Sequence, residues 1–202
     1  MNTHLPFLPG SRDPERLLRE AFDGWDGGDA WIFGYASLIW RPEFDSAEDR
    51  PATVYGWHRS LAMRSRVNRG TPECPGLVFA LVQGGSCRGR AYRIEHTRVA
   101  EELRRLWSRE MPNGIYDPKW LPCRTPQGVV RALAFTLDRK SPSHTGRVAD
   151  AQMLEILRTA NGRFGSTLSY LVETAASLRS CGIRDRDIER LVELARRNAL
   201  TA

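Results

Sequence analysis

A chain of 202 residues, 41% hydrophobic and 27% charged, is long and apolar enough to bury a core without metals or disulfides. No apolar run approaches the ~20 residues that cross a bilayer, and the start, MNTHLPFLPGSRDPERLL, has no basic stretch leading into an apolar one. Neither a membrane partner nor a secretory signal is therefore expected, and the cytoplasm is the expected compartment. The net charge of +6 rests on arginine, since Lys119 and Lys140 are the only lysines, and it favours acidic small molecules or nucleic acid over cationic partners.

Residues 1–12 read as a loose arm. Asp13-Pro14 then opens a short helix through ERLLREAF, with Asp13 as N-cap and Pro14 in the first turn. Runs of strand character follow at 31–40, 52–58, 60–66, 76–83, 88–95 and 128–138, with Gly84-Gly85 placed as a hairpin turn. Residues 97–111 read as a helix between the last two runs. From about residue 147 the apolar spacing turns helical. One helix stops at Asn161-Gly162, and two more, 166–180 and 185–198, are divided by Cys181-Gly182. The expected class is α+β: an N-terminal arm and short helix over 1–29, then one domain over 30–198 with a strand-rich body and a helical C-terminal third.

Within 96–111, Val99, Leu103, Leu106 and Trp107 form one apolar stripe, and Glu101, Arg104, Arg105 and Ser108 lie off it. Glu110, four residues after Leu106 and three after Trp107, continues the stripe. An inward carboxylate has its charged form disfavoured and its pKa raised, which suits a general acid or base near neutrality. A second reading stays open, in which the helix frays before Pro112 and Glu110 turns to solvent or pairs with Arg109 or Arg66.

The segment WIFGYASLIW interrupts a hydrophobic run with Gly34-Tyr35-Ala36-Ser37. A strand ending in small residues lets a ligand approach the backbone, and exposed N–H groups there can hold a carboxylate or a developing oxyanion. The same residues also suit an ordinary bulge or tight bend. The four cysteines, Cys74, Cys87, Cys123 and Cys181, form no C-x-x-C pair and have no histidine at metal-ligand spacing. They are expected to be reduced, with no metal site.

Five segments taken in order resemble the ChaC-type gamma-glutamylcyclotransferases. WIFGYASLIW is similar to the family's Y-G-S-L segment, VNRGTPECPG to its R-G-T-x-x-x-P-G stretch, and GGSCRGRAYRI to its G-x-A-Y-R-I strand. LWSREMPNGIY carries its R-E pair, and Asn161-Gly162 with Tyr170-Leu171 and Gly182-Ile183-Arg184-Asp185 resembles its last motif. The resemblance covers roughly residues 30–195. It implies a small closed or nearly closed mixed β-barrel with surrounding helices. It also implies a reaction without metal or cofactor on a gamma-glutamyl compound, typically glutathione, giving 5-oxoproline and cysteinylglycine. By position, Glu110 matches the catalytic glutamate, Tyr35, Ala36, Ser37 and Leu38 match the substrate loop, and Tyr170 matches a tyrosine that faces the ligand. Ala36 departs from the pattern, which usually has glycine there. An alanine serves if the backbone needs only a small side chain, and is strained if it needs a left-handed one.

That chemistry agrees with the residues present. The substrate's α-amine attacks its own γ-carbonyl, so no enzyme nucleophile is needed, and one carboxylate can take the ammonium proton and return one to the leaving amine. Tyr170 would orient the glutamyl end through its hydroxyl, its alternative being core packing. Arg66 and Arg69 are candidate partners for a substrate carboxylate, their alternative being structural pairing. The same chemistry on another gamma-glutamyl amine or peptide is a further reading, and an arginine-rich RNA-binding module is a reading from another class. The arginines are dispersed along the chain, so the expected partner is a small molecule and not a nucleic acid.

Overall fold

The computed structural model describes residues 10–201; most of the expected N-terminal arm, residues 1–9, lies outside them. The described chain forms helices α1 (Pro14–Asp23), α2 (Ser37–Trp40), α3 (Val99–Glu110), α4 (Asp150–Thr159), α5 (Thr167–Ser180) and α6 (Arg186–Arg197). The strands are β1 (Ala30–Gly34), β2 (Glu48–Ser65), β3 (Gly76–Ile94), β4 (Asp117–Thr125), β5 (Gly128–Leu137) and the two-residue β6 (Asn161–Gly162) and β7 (Gly165–Ser166). β1 to β5 close into a barrel in the order β1-β3-β2-β4-β5, with β3 also pairing β5. The barrel is mixed: β1 and β3 run parallel to β5, and the pairs β1–β3, β2–β4 and β4–β5 are antiparallel. No helix among the described residues is long and apolar enough to cross a membrane.

Backbone contacts divide the described residues into two compact units, 10–58 with 81–142, and 59–80 with 143–201. In the first, Ile32, Phe33, Leu81, Ile94, Leu133, Phe135 and Leu137 from the strands, with Leu103, Leu106 and Met111, are buried almost completely. Asp13 caps α1 by accepting from the Glu15 N–H, and Pro14 occupies its first turn, as the sequence predicts. Trp107 and Trp120 donate their indole N–H groups to main-chain oxygens of α1, at Pro14 (2.7 Å) and Ala21 (3.0 Å). In the second unit, α4, α5 and α6 bury Leu157, Leu171, Leu178, Ile188 and Ala195. Arg59, nearly inaccessible, forms an ion pair at 2.5 Å with Asp185, the residue that caps α6.

Several boundaries differ from the sequence reading. The runs 52–58 and 60–66 are one strand, as are 76–83 and 88–95. Gly56 (φ +79) and Gly84-Gly85 (φ +109 and +69) take left-handed backbone inside β2 and β3, and both strands run on through them. No hairpin turn forms at Gly84-Gly85. The run 31–40 is a strand only as far as Gly34, and Ser37 to Trp40 is a helical turn. β4 was not anticipated: two prolines, Pro118 and Pro122, and a mostly half-exposed pattern hide its strand character.

Candidate active site

Glu110 is the last residue of α3, whose stripe of Val99, Leu103, Leu106 and Trp107 is buried as expected. The helix does not fray before it. The Glu110 side chain is only 15% exposed, and Arg109 Nε stands 2.9 Å from its Oε1. Both open readings are thus partly met: the carboxylate is directed inward and is also paired with Arg109. Burial pushes its carboxyl above the usual carboxylate range, Arg109 pulls it back, and the Glu43 carboxylate pushes it further up.

Arg109 is the centre of a cluster within the first unit. Its Nη2 donates to the Ser37 hydroxyl at 3.2 Å, and its Nη1 lies 3.3 Å from Glu43 Oε2 and donates to the Arg41 carbonyl. Glu43 also pairs with Arg41. One guanidinium therefore ties the end of α3 to the segment that follows β1.

That segment explains the interrupted hydrophobic run. After Gly34 the chain folds back so closely that a Cβ at Gly34 would stand 2.8 Å from the Tyr92 ring and 3.2 Å from the Leu38 Cβ. Leu38 and Tyr35 are buried. The Tyr35 hydroxyl donates to the Phe135 carbonyl at 2.8 Å, and its ring stacks on Phe33. Ala36 has φ −143 and ψ −114, so its backbone is not left-handed and the departure from glycine meets no positive-φ conflict there. Ser37 begins α2, whose Arg41 N–H returns to the Ser37 carbonyl at 2.8 Å.

The remaining candidate, Tyr170, belongs to the second unit. It is buried on α5, with its ring 5.6 Å from that of Phe79 and the Arg69 guanidinium 4.9 Å above it. Arg69 Nη1 also donates to the Phe164 carbonyl at 2.5 Å, a structural pairing. Arg66 differs: its Nη1 is buried and has no hydrogen-bond partner among the described residues. No disulfide links the four cysteines. Burial pushes the Cys123 thiol up to about 12, which suits a packing role.

Two residues of the cluster went unrecognised as part of a site. Arg109 is named by the sequence as part of the R-E pair and as a candidate structural partner for Glu110, and is given no role in a site. Glu43, in the stretch Arg41-Pro42-Glu43-Phe44, carries no periodicity, and it pairs with Arg109 from a left-handed backbone, φ +56. Glu102 is a further surprise. It is fully buried one turn into α3 and is held by Arg98 at 2.5 Å.

The model of the family described as ChaC-like protein matches residues 30–198. The chain belongs to the ChaC-like family. It is 34% identical over 168 residues to a glutathione-specific gamma-glutamylcyclotransferase of Escherichia coli (strain K12), covering 83% of this chain and 73% of that protein. It is 31% identical over 192 residues to the glutathione-specific gamma-glutamylcyclotransferase 1 of Rattus norvegicus, covering 92% and 86%. Among solved structures, a yeast gamma-glutamyl cyclotransferase specific to glutathione superposes with a TM-score of 0.75 at 20% identity, over 84% of this chain and 96% of that one. That likeness carries the family's barrel and helical region to this fold.

Proposed function

We propose that this member of the ChaC-like family is a gamma-glutamylcyclotransferase that cleaves glutathione, with Glu110 as its general acid and base. The α-ammonium of the glutamyl residue gives a proton to the Glu110 carboxylate. The freed amine attacks the γ-carbonyl carbon and a five-membered ring closes. As the γ C–N bond breaks, Glu110 returns the proton to the leaving nitrogen, and the second proton on the ring nitrogen passes to the released amine, so 5-oxoproline and the ammonium form of cysteinylglycine leave and the enzyme is unchanged. The observation that carries this reading is the inward carboxylate of Glu110, whose proton affinity burial raises toward the working range of such a base.

In this reading the Tyr35–Leu38 segment cradles the glutamyl group. Backbone N–H groups there, together with the Ser37 hydroxyl, meet charge developing on the γ-carbonyl oxygen. The side chains of Tyr35 and Leu38 are buried, and they act by holding the turn in shape. Attack by the substrate's own amine calls for no cofactor or metal. The partner is a small molecule and the compartment the cytoplasm.

The test is direct. Purified protein is incubated with glutathione and, separately, with other gamma-glutamyl amines and peptides, and 5-oxoproline and the released amine are measured. Glu110→Gln should lower kcat by about 10²-fold or more while glutathione still binds in calorimetry. Normal turnover by that variant would remove Glu110 from the mechanism. Release from another gamma-glutamyl compound, with none from glutathione, would keep the reaction and change the substrate.

A further inference from the structure

The Arg109 guanidinium serves two carboxylates at once. Its Nε faces Glu110 at 2.9 Å and its Nη1 faces Glu43 at 3.3 Å, while Ser37 and the Arg41 carbonyl take further N–H groups. Glu43 arrives there on a left-handed backbone. It is one of two non-glycine residues with positive φ among the described residues, the other being Ala199 just beyond α6. Such a conformation is costly for a side-chain-bearing residue and persists where surrounding contacts over-determine it. Here those contacts are the pairs from Glu43 to Arg41 and to Arg109.

We propose that Glu43 is a positioning residue for the reaction: by sharing Arg109 with Glu110, it sets how firmly that guanidinium holds the Glu110 carboxylate. This rests on the reading of Glu110 as acid and base. A carboxylate with an arginine to itself is held in its charged form and is a poor proton acceptor. A second carboxylate on the same cation divides that stabilisation and adds repulsion of its own. The charged groups that act on Glu110 among the described residues are Arg109 from its own helix and Glu43 from the segment after α2, and Arg41 enters through its pair with Glu43. Arg109 thereby keeps the orientation of Glu110 fixed without quenching it.

The experiment uses the full chain and the variant Glu43→Gln. The pH profile of kcat/KM with glutathione is measured beside the titration of the Glu110 carboxyl by ¹³C NMR, with Glu110→Gln assigning the resonance. Both the acid limb and the titration midpoint should move to lower pH by about half a pH unit or more. Glu43→Asn, whose side chain is at ease on left-handed backbone, should give the same shift, so the outcome does not depend on one variant folding. An unmoved midpoint in a variant that melts like the parent overturns the link from Glu43 to Glu110. A midpoint that moves while the acid limb stays overturns the catalytic role instead, because the fault then lies in the assignment of Glu110. Failure of both variants to fold assigns Glu43 to structure and also overturns the proposal.

Discussion

A carboxyl group at the buried end of an amphipathic helix costs stability whenever it is charged. For Glu110 the folded state raises proton affinity above that of the unfolded chain, chiefly through burial. Below the ordinary carboxylate range both states are protonated and nothing is lost. As pH rises past that range the unfolded chain gives up its proton first, so stability falls until the folded group also ionises. Glu110→Gln removes the group that ionises, and Arg109 retains Glu43, Ser37 and the Arg41 carbonyl as partners. The variant should therefore melt above the parent near pH 8 and with it near pH 4. A variant melting below the parent at pH 8 would mean that the pair with Arg109 outweighs the burial of the charge. Periodicity made this residue visible, because a glutamate sat where an apolar residue was due. It could not reveal Glu43, whose neighbours in sequence carry no pattern. Nor did it reveal that Glu102 is buried, since its partner Arg98 lies a turn earlier, in the 3₁₀ turn His96–Arg98.

At the level of elements, the glycine-rich motifs act as packing devices. In the second unit a Cβ on Gly76 would fall on the Arg69 carbonyl and the Thr167 hydroxyl, and one on Gly70 on the Gly76 N–H. One on Gly162 would lie 2.5 Å from the Gly70 N–H and 2.6 Å from the Val67 carbonyl. The Thr167 hydroxyl accepts from the Leu77 N–H at 3.0 Å and donates to the Arg69 carbonyl at 3.3 Å, and the Arg163 N–H donates to the Val67 carbonyl at 2.8 Å. The Arg69-Gly70-Thr71 and Pro75-Gly76 stretch, Asn161-Gly162 and the start of α5 thus pack backbone against backbone. Gly76→Ala should cost about 3 kcal/mol or more, since neither a carbonyl nor a buried hydroxyl can give way cheaply. Gly28→Ala, where the nearest atom is a side-chain oxygen of Asp26 at 3.4 Å, should stay within about 0.5 kcal/mol. Equal denaturation midpoints for the two variants would refute this account of the motif. The helices other than α2 were legible, α1 from Asp13 with Pro14 and the rest from apolar spacing and the breaks at Asn161-Gly162 and Cys181-Gly182, whereas Ser37 to Trp40 read as strand. The strands were less so. The interior glycines of β3 imitate a turn, and prolines in β4 imitate a loop, and closure of the barrel decides between these readings through pairings distant in sequence, such as Leu81 with Thr136.

Across the whole molecule, arginine is both the commonest charge and the commonest partner. It takes part in nearly every ion pair described, from Arg93 with Asp29 and Glu48 to the Glu193 carboxyl, which Arg196 and Arg197 hold down to about 2. Most such pairs lie on the surface, where each contributes little to stability. Pairing cancels charge locally, yet 30 basic residues against 24 acidic ones leave a surplus of +6. A surplus of that sign draws in a small anion over a distance set by the Debye length, about 10 Å at 0.1 M salt and about 30 Å at 0.01 M. Glutathione, with two carboxylates and one ammonium, is such an anion. Its kcat/KM should fall about two- to three-fold between ~20 and ~200 mM sodium chloride, while kcat, measured at saturation, stays level because the cyclisation moves charge only within the bound substrate and Glu110. A gamma-glutamyl amine with one carboxylate fewer is neutral overall, and its kcat/KM should hardly change over the same range. If both substrates respond to salt alike, the effect belongs to protein conformation and the basic surplus plays no part in capture.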